Sequence, residues 1–195
     1  VERVGVYGNA KSIRMKTAEE LADLRRHGLG IVYMGLESGD DETLRSVRKG
    51  TLSQDMIAMG RKVRQAGIQL SITVLLGLAG PHRSKIHAVA TGRALTAMDP
   101  EYVGALSLML VPGTPMHDEY RSGRFELIDQ KAMLRELRTM LQHTELSGGR
   151  FHANHASNYL PIRASLPQDK ERTLELIDAA LQGRVHLRPE WSRGL

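Results

Sequence analysis

Four short apolar runs, Arg3 to Tyr7, Ile31 to Leu36, Ile68 to Leu76 and Tyr102 to Val111, begin about 28 to 37 residues apart. Each gap between them holds a helical pattern. That spacing suits right-handed strand–helix–strand crossovers, so a parallel sheet is expected, and no hairpin signal competes with it. The third and fourth runs are nearly continuous in apolar residues, as in strands covered by helices on one face and packed or liganded on the other. The fold class that follows is α/β.

The gaps carry their own punctuation. Thr17-Ala18-Glu19-Glu20 has the form of a capping box, Ala18, Leu21 and Leu24 recur at helical spacing, and Gly28 closes the unit. Ser53 is placed to cap a second helix whose Met56, Ile57, Gly60 and Val63 form one face, with Gly67 at its end. A third helix is expected to bury Ile86, Ala90, Ala94 and Met98 and to stop at Asp99-Pro100, because proline disfavours a helical residue before it. Beyond Val111 the alternation ends. Gln130 to Thr144 and Lys170 to Gln182 read as amphipathic helices joined by a His- and Asn-rich segment, Arg150 to Asn158, all outside the sheet. Arg188 to Gly194 has no period and reads as a tail.

With 195 residues and 41% apolar content the chain can bury one sizeable core. Its longest apolar run, Ile72 to Leu78, falls far short of the roughly 20 residues that cross a bilayer. No membrane partner and a cytoplasmic location are therefore expected. The chain opens on Val1-Glu2-Arg3 without a charged and apolar leader, and its native N-terminus is expected upstream. The net charge of +5 is spread over Arg25-Arg26, Arg45 with Arg48-Lys49, Arg61-Lys62 with Arg64, and Arg135 with Arg138, all among acids. Those charges read as solvated helix faces, and Phe125, Phe151, Trp191 and five tyrosines make no ladder for unpaired bases, so nucleic acid is not supported as a partner. The absence of cysteine excludes disulfides, thiolate catalysis and cysteine-held metal within this chain.

In parallel α/β sheets ligands bind at the carboxyl ends of the strands. After the second run, Glu37 and Ser38 offer an acceptor and a hydroxyl suited to a ribose diol or an ammonium group. The alternative is that Ser38 and Asp40 cap a short helix, Glu42 to Val47, while Glu37 pairs with Lys49 at the surface. Arg48 and Lys49 could meet a ligand carboxylate or simply end a basic helix. After the third run, Gly77-Leu78-Ala79-Gly80-Pro81 is a turn where backbone could approach a flat ligand. After the fourth, Val111-Pro112-Gly113-Thr114-Pro115 is a stiff turn with apolar surface. His152 and His155 have metal-like spacing without a carboxylate to complete a ligand set, and read as a hydrogen-bonded corner.

Taken together and in this order, these segments resemble the radical S-adenosylmethionine (SAM) superfamily over essentially the whole chain. Val32-Tyr33-Met34-Gly35-Leu36-Glu37-Ser38-Gly39-Asp40-Asp41 with Arg48-Lys49-Gly50 resembles a SAM-contacting region of elongator-catalytic-subunit-like and oxygen-independent coproporphyrinogen-oxidase-like members. Ala66-Gly67-Ile68 with Leu75 to Gly80 resembles the strand beside the adenine, and Pro112 to Pro115 the loop ending the next strand. Asn154 to Pro161 resembles the ending of one uncharacterised subgroup. The resemblance implies that Glu37 and Ser38 contact the ribose or amino end of SAM and that Lys49, where relatives commonly have arginine, contacts its carboxylate. It implies an adenine pocket lined by Leu75 and Gly77 and bounded by Val111 and Pro112. It also implies SAM and a [4Fe–4S] cluster as cofactors, a flavodoxin or ferredoxin as electron donor, and reductive cleavage of SAM to a 5′-deoxyadenosyl radical.

The family's C-x-x-x-C-x-x-C element and its glycine-rich methionine-contacting segment are absent from this sequence. The expected architecture is thus an incomplete (βα) TIM-like barrel of about four parallel strands with outer helices. Residues 1–125 would be the C-terminal part of the partial barrel and residues 126–195 a helical extension and tail. The cluster ligands would lie upstream, and the chain alone is expected to be inactive and to bind SAM weakly or not at all. The reaction type stays open between oxidoreductase and transferase chemistry. The alternatives are a cluster-free TIM-like aldolase or phosphate-binding enzyme, though no strand contains a Schiff-base lysine, and a degenerate non-catalytic binding module.

Overall fold

The computed structural model describes residues 3–194. In chain order the elements are β1 (Val4–Tyr7), α1 (Ala10–Arg14), α2 (Ala18–Arg26), β2 (Leu29–Glu37), α3 (Asp41–Ser46), α4 (Ser53–Gln65) and β3 (Gln69–Leu76). There follow α5 (Gly80–Met98), β4 (Tyr102–Ser107), α6 (Pro115–Arg121), α7 (Gln130–Gln142), β5 (Arg150–His152), β6 (Arg163–Ser165), α8 (Lys170–Leu181) and a 3₁₀ turn at Glu190–Ser192.

All six strands form one sheet in the order β1-β2-β3-β4-β5-β6. The first five are parallel, and β6 turns back antiparallel on β5. Spatial order equals chain order, so there is no reversal of the kind that puts helices on both faces of a doubly wound sheet. Right-handed crossovers laid in one direction place their helices on one face, as in a (βα) barrel, and the fold is an open part of such a barrel. The outer face is the core: Val32, Met34 and Leu36 of β2, Leu70, Ile72, Val74 and Leu76 of β3, and Val103 and Ala105 of β4 are almost fully buried beneath the helices. The third run was expected to be nearly continuous in apolar residues, but Gln69, Ser71 and Thr73 interrupt it and β3 buries every second residue more deeply. No helix among the described residues is long and apolar enough to cross a membrane.

Several expectations are corrected by the packing. The fourth strand ends at Ser107 rather than Val111, because side chains from the segment after β5 take over its hydrogen bonds. The Ser157 hydroxyl accepts from Ser107 N (3.1 Å), while Asn158 accepts from Ser107 Oγ (2.9 Å) and donates to the Ala105 carbonyl (2.9 Å). The Arg150 to Asn158 segment is accordingly part of the sheet, with β5 pairing parallel to β4. Ser53 opens α4 without capping it; the Asp41 carboxylate accepts its amide instead (2.8 Å). In α5 the expected Ala94 and Met98 are buried, but Ile86 is half exposed and Ala90 only partly covered, while His87, Thr91 and Leu95 are buried beside them; in α2 Leu21 is buried while Leu24 is exposed. Arg193, in the expected tail, is docked. The Arg193 guanidinium lies 4.0 Å over the Tyr159 ring and donates to the Ser157 carbonyl (2.7 Å).

One hydrophobic core runs from Ala10 and Ile13 through the strands to Phe151, Ile177 and Ala180. Phe151 has 0% exposure on the core side of β5. Phe151→Ala is expected to cost about 3–5 kcal/mol and to lower a single cooperative unfolding transition. An early separate transition for the C-terminal third, with the main one unmoved, would contradict a shared core.

Candidate functional site

Among the described residues no helix lies over the inner face of the sheet, whose residues are those that alternate with the core: Tyr33 and Gly35 on β2, Ser71 and Thr73 on β3, Tyr102 and Gly104 on β4. At the carboxyl end of β2 the register slips between Gly35 and Glu37, a bulge that re-aims Glu37. Glu37 also takes a left-handed backbone (φ 61°), strain that a non-glycine residue accepts only where its surroundings enforce it. A Cβ on Gly35 would collide with the Glu37 carboxylate, so the missing side chain is what lets that carboxylate lie back over the sheet.

Lys49 arrives from the other side through a Schellman end to α3. Arg48 is left-handed (φ 54°), Arg48 N donates to Arg45 O (3.0 Å) and Lys49 N donates to Leu44 O (2.9 Å). Lys49 Nζ then donates to Glu37 Oε1 at 3.0 Å, with both side chains about a quarter exposed. The pair sits in a cleft of about 550 Å³ whose walls include Tyr7, Asn9, Tyr33, Thr51 and Thr73. Tyr7 and Tyr33 stack with ring centroids 5.3 Å apart. A partly exposed ion pair of this kind contributes little, so either partner can exchange its contact for a ligand at small cost.

The loop that follows is pinned to α5. A Cβ on Gly39 would run into the Ala90 carbonyl, so only glycine lets the loop sit directly on that helix, where Gly39 N donates to Thr91 Oγ1 (2.8 Å). Ser38 is fully buried; its hydroxyl accepts from Asp40 N (2.9 Å) and bonds His87 Nδ1 (2.7 Å). With Nδ1 as the acceptor, the proton of the ring lies on Nε2, which faces Glu136 Oε1 at 3.5 Å. Asp40 caps α3 through Thr43 N (3.2 Å) and receives a two-pronged grip from Arg83 (2.9 and 2.8 Å). The Arg83 guanidinium holds the Asp40 carboxyl well below the usual carboxylate range. The expected helix cap is thus Asp40, and Ser38 is a buried tie rather than a cap or an open hydroxyl.

Of the residues singled out from sequence, the structure joins Glu37 and Lys49 in one cleft and places Ser38 immediately behind them. Leu75 lies on the inner face beside its partner Leu106. Gly77 has a left-handed backbone (φ 83°) and its open side faces Met133 of α7; its amide donates to Glu136 Oε1 (2.6 Å). Val111 and Pro112 are exposed on the loop between β4 and α6, outside this cleft. Tyr7, Tyr33 and Thr73 went unselected, yet alternation along the strands marks them. His87 and Glu136 went unselected too; the polar stripe Ser84, His87, Thr91 in α5 was their signal.

Burial holds His87 neutral, pushing it down to about 4, and pushes Glu136 up to about 7 against hydrogen bonds from Ser84 and Gly77. The two make a neutral imidazole facing a carboxyl group that titrates near neutrality, rather than an ion pair.

No protein-family model matches the chain. It is 23% identical to the heme chaperone HemW of Bacillus subtilis over 145 residues, 73% of this chain and 37% of that protein. The chain spans 38% and 37% of the length of the two curated relatives it matches. Among solved structures, Elp3 of Methanocaldococcus infernus lacking its N-terminus superposes with a TM-score of 0.62 at 14% identity, covering 94% of this chain and 43% of that one. Coproporphyrinogen III oxidase (HemN) of Escherichia coli, a radical SAM enzyme, superposes with a TM-score of 0.53 at 17% identity, covering 72% of this chain and 30% of that one. The chain has the fold of part of a radical SAM enzyme, as its sequence resemblance implied.

Glu136 favours its neutral form in the fold, so its contribution is complete below its unfolded value of 4.5 and is lost as pH rises through about 7. Stability should fall by on the order of 3 kcal/mol between about pH 5 and pH 8. Glu136→Gln, which keeps an acceptor for Gly77 N, should flatten that slope in denaturant titrations. A slope unchanged by the substitution would contradict the assignment.

Proposed function

We propose that this chain is the C-terminal part of a radical SAM enzyme core and supplies the strand ends that hold SAM. The observation that carries this reading is the meeting of Glu37 and Lys49 over the bare Gly35, at the carboxyl edge of an uncovered parallel sheet. The fold shared with a radical SAM enzyme supports it.

The residues present fit the nucleoside and amino-acid parts of SAM. Glu37 would accept hydrogen bonds from the ribose hydroxyls, and Lys49 would leave Glu37 for the ligand carboxylate. Ser38 acts from behind, fixing the loop that carries Glu37. Leu75 on the inner face and Gly77 just beyond β3 would bound the adenine, with Val111 and Pro112 approaching it from the exposed loop after β4. The residues present do not fit an iron–sulfur cluster: the chain has no cysteine, and no three His, Asp or Glu side chains converge as a metal site among the described residues. The cluster's ligands would lie on strands added along the edge of β1, where Val4, Val6 and Tyr7 are exposed. SAM bound against such a cluster supplies reductive C–S cleavage. This chain's residues orient the ligand and shield it from water. The electron would come from a flavodoxin or ferredoxin in the cytoplasm.

Binding to the full-length protein tests the assignment. Glu37→Gln and Lys49→Gln should each weaken SAM at least about tenfold, the loss of one charge-assisted hydrogen bond. Adenosine should be weakened by Glu37→Gln alone. SAM affinity unchanged in both variants would refute the cradle.

A further inference from the structure

The inner face carries two rows in register across the strands. Tyr33, Ser71, Tyr102 and Arg150 stand side by side in one, and Gly35, Thr73, Gly104, His152 and Arg163 in the next. Because Gly35 and Gly104 have no side chains, the second row is a trough. It runs from the Glu37–Lys49 pair at one end to His152 and Arg163 at the other. A Cβ on Gly104 would meet only Leu106, at 3.7 Å, so the floor there is open.

Over the far half of the trough lies a cleft of about 510 Å³, a size that holds a small organic molecule. It shares Tyr33 with the Glu37–Lys49 cleft. Its polar groups come from Tyr33, Ser71, Tyr102, His152, Asn154 and His155, and Arg3 lines it too; none of its described lining residues is acidic. Past His152 and Asn154 it continues into a recess holding Arg150 and Arg163. The acid in that recess, Asp169, accepts the Ser165 amide (2.8 Å). Burial, then Arg163 and Arg150, lower the pKa of His152 and keep its ring neutral. Asp169 shares the recess, but among the described residues neither Arg150, which lies 5.9 Å over the Tyr102 ring, nor Arg163 is in an ion pair; beside a neutral imidazole and an amide they form an anion-selecting surface.

We propose that the His152 end of the trough binds the oxyanion, carboxylate or phosphate, of the small molecule on which the enzyme acts. Arg150 and Arg163 supply charge, and His152 and Asn154 supply hydrogen bonds. The role as substrate site rests on the nucleoside reading of the Glu37 end, with Tyr33 dividing the two ligands.

The test follows the His152 imidazole resonance in the full-length protein, identified by its loss in His152→Asn. Succinate, inorganic phosphate and sodium chloride are added at matched ionic strength. A saturable shift with succinate or phosphate and none with chloride is expected, together with a raised His152 pKa. The tighter of the two anions names the group. Arg163→Gln should weaken that binding at least about tenfold and Arg163→Lys less, because only arginine keeps the fork. Gly104→Val, at home in a strand, should block the anion by filling the floor. Equal shifts with chloride, or affinity indifferent to Arg163→Gln, would overturn the proposal. SAM binding without a saturable anion shift overturns this site and spares the cradle. An anion shift without SAM affinity sinks the cradle and leaves the anion site standing.

Discussion

Parallel strands laid down in chain order, each beside the last, are the constraint from which the rest of this molecule follows. Right-handed crossovers that never reverse direction put every covering helix on one side. The core therefore takes alternate residues of each strand, and the others are left on a face that no described helix covers. On that face sit Tyr33, Ser71, Thr73 and Tyr102, polar groups that a helix-covered surface would have to satisfy internally. Glycines 35 and 104 lower the floor between them. The uncovered face and its trough are two consequences of one topology.

A strained backbone at Glu37 needs support from behind, and the loop after β2 receives it from α5. Gly39 lets the two backbones touch, Ser38 ties the loop to His87, and Arg83 clamps Asp40. His87 in turn faces Glu136 of α7, which also holds the amide of Gly77 at the end of β3. Two neighbouring strand ends are thus fastened to the same buried polar cluster. A buried network of this kind is costly when half satisfied, which ties the geometry of the cleft to the integrity of the helix pair.

Much of this was legible in the sequence because it rests on local rules. The run spacing gave the parallel sheet, Thr17 to Glu20 the capping box, and Gly28 and Gly67 the helix ends. Glu37 and Lys49 could be named because they follow a strand and a short helix. What could not be read depended on long-range contacts. The end of β4 at Ser107 is set by Ser157 and Asn158, some fifty residues on, and the cap of α4 comes from Asp41 on another helix. In α5 the pattern locates Ala94 and Met98 in the core but not the first turns, because Ile86 looks like a core residue and His87 does not. Only the pairing of His87 with Ser38 makes a buried histidine sensible there. The joining of β5 to the sheet was hidden because a three-residue strand, Arg150-Phe151-His152, carries almost no periodic signal.

In the proposed reading the Glu37 end of this open face is half of a SAM site whose other half would carry the iron–sulfur cluster. The most direct measurement is anaerobic iron–sulfide reconstitution of the full-length protein, followed by assay of 5′-deoxyadenosine after adding SAM and a reductant. The expected result is a brown protein with the iron of one [4Fe–4S] cluster and reductive cleavage of SAM that falls sharply in Lys49→Gln. A protein that retains no iron and leaves SAM intact would contradict it.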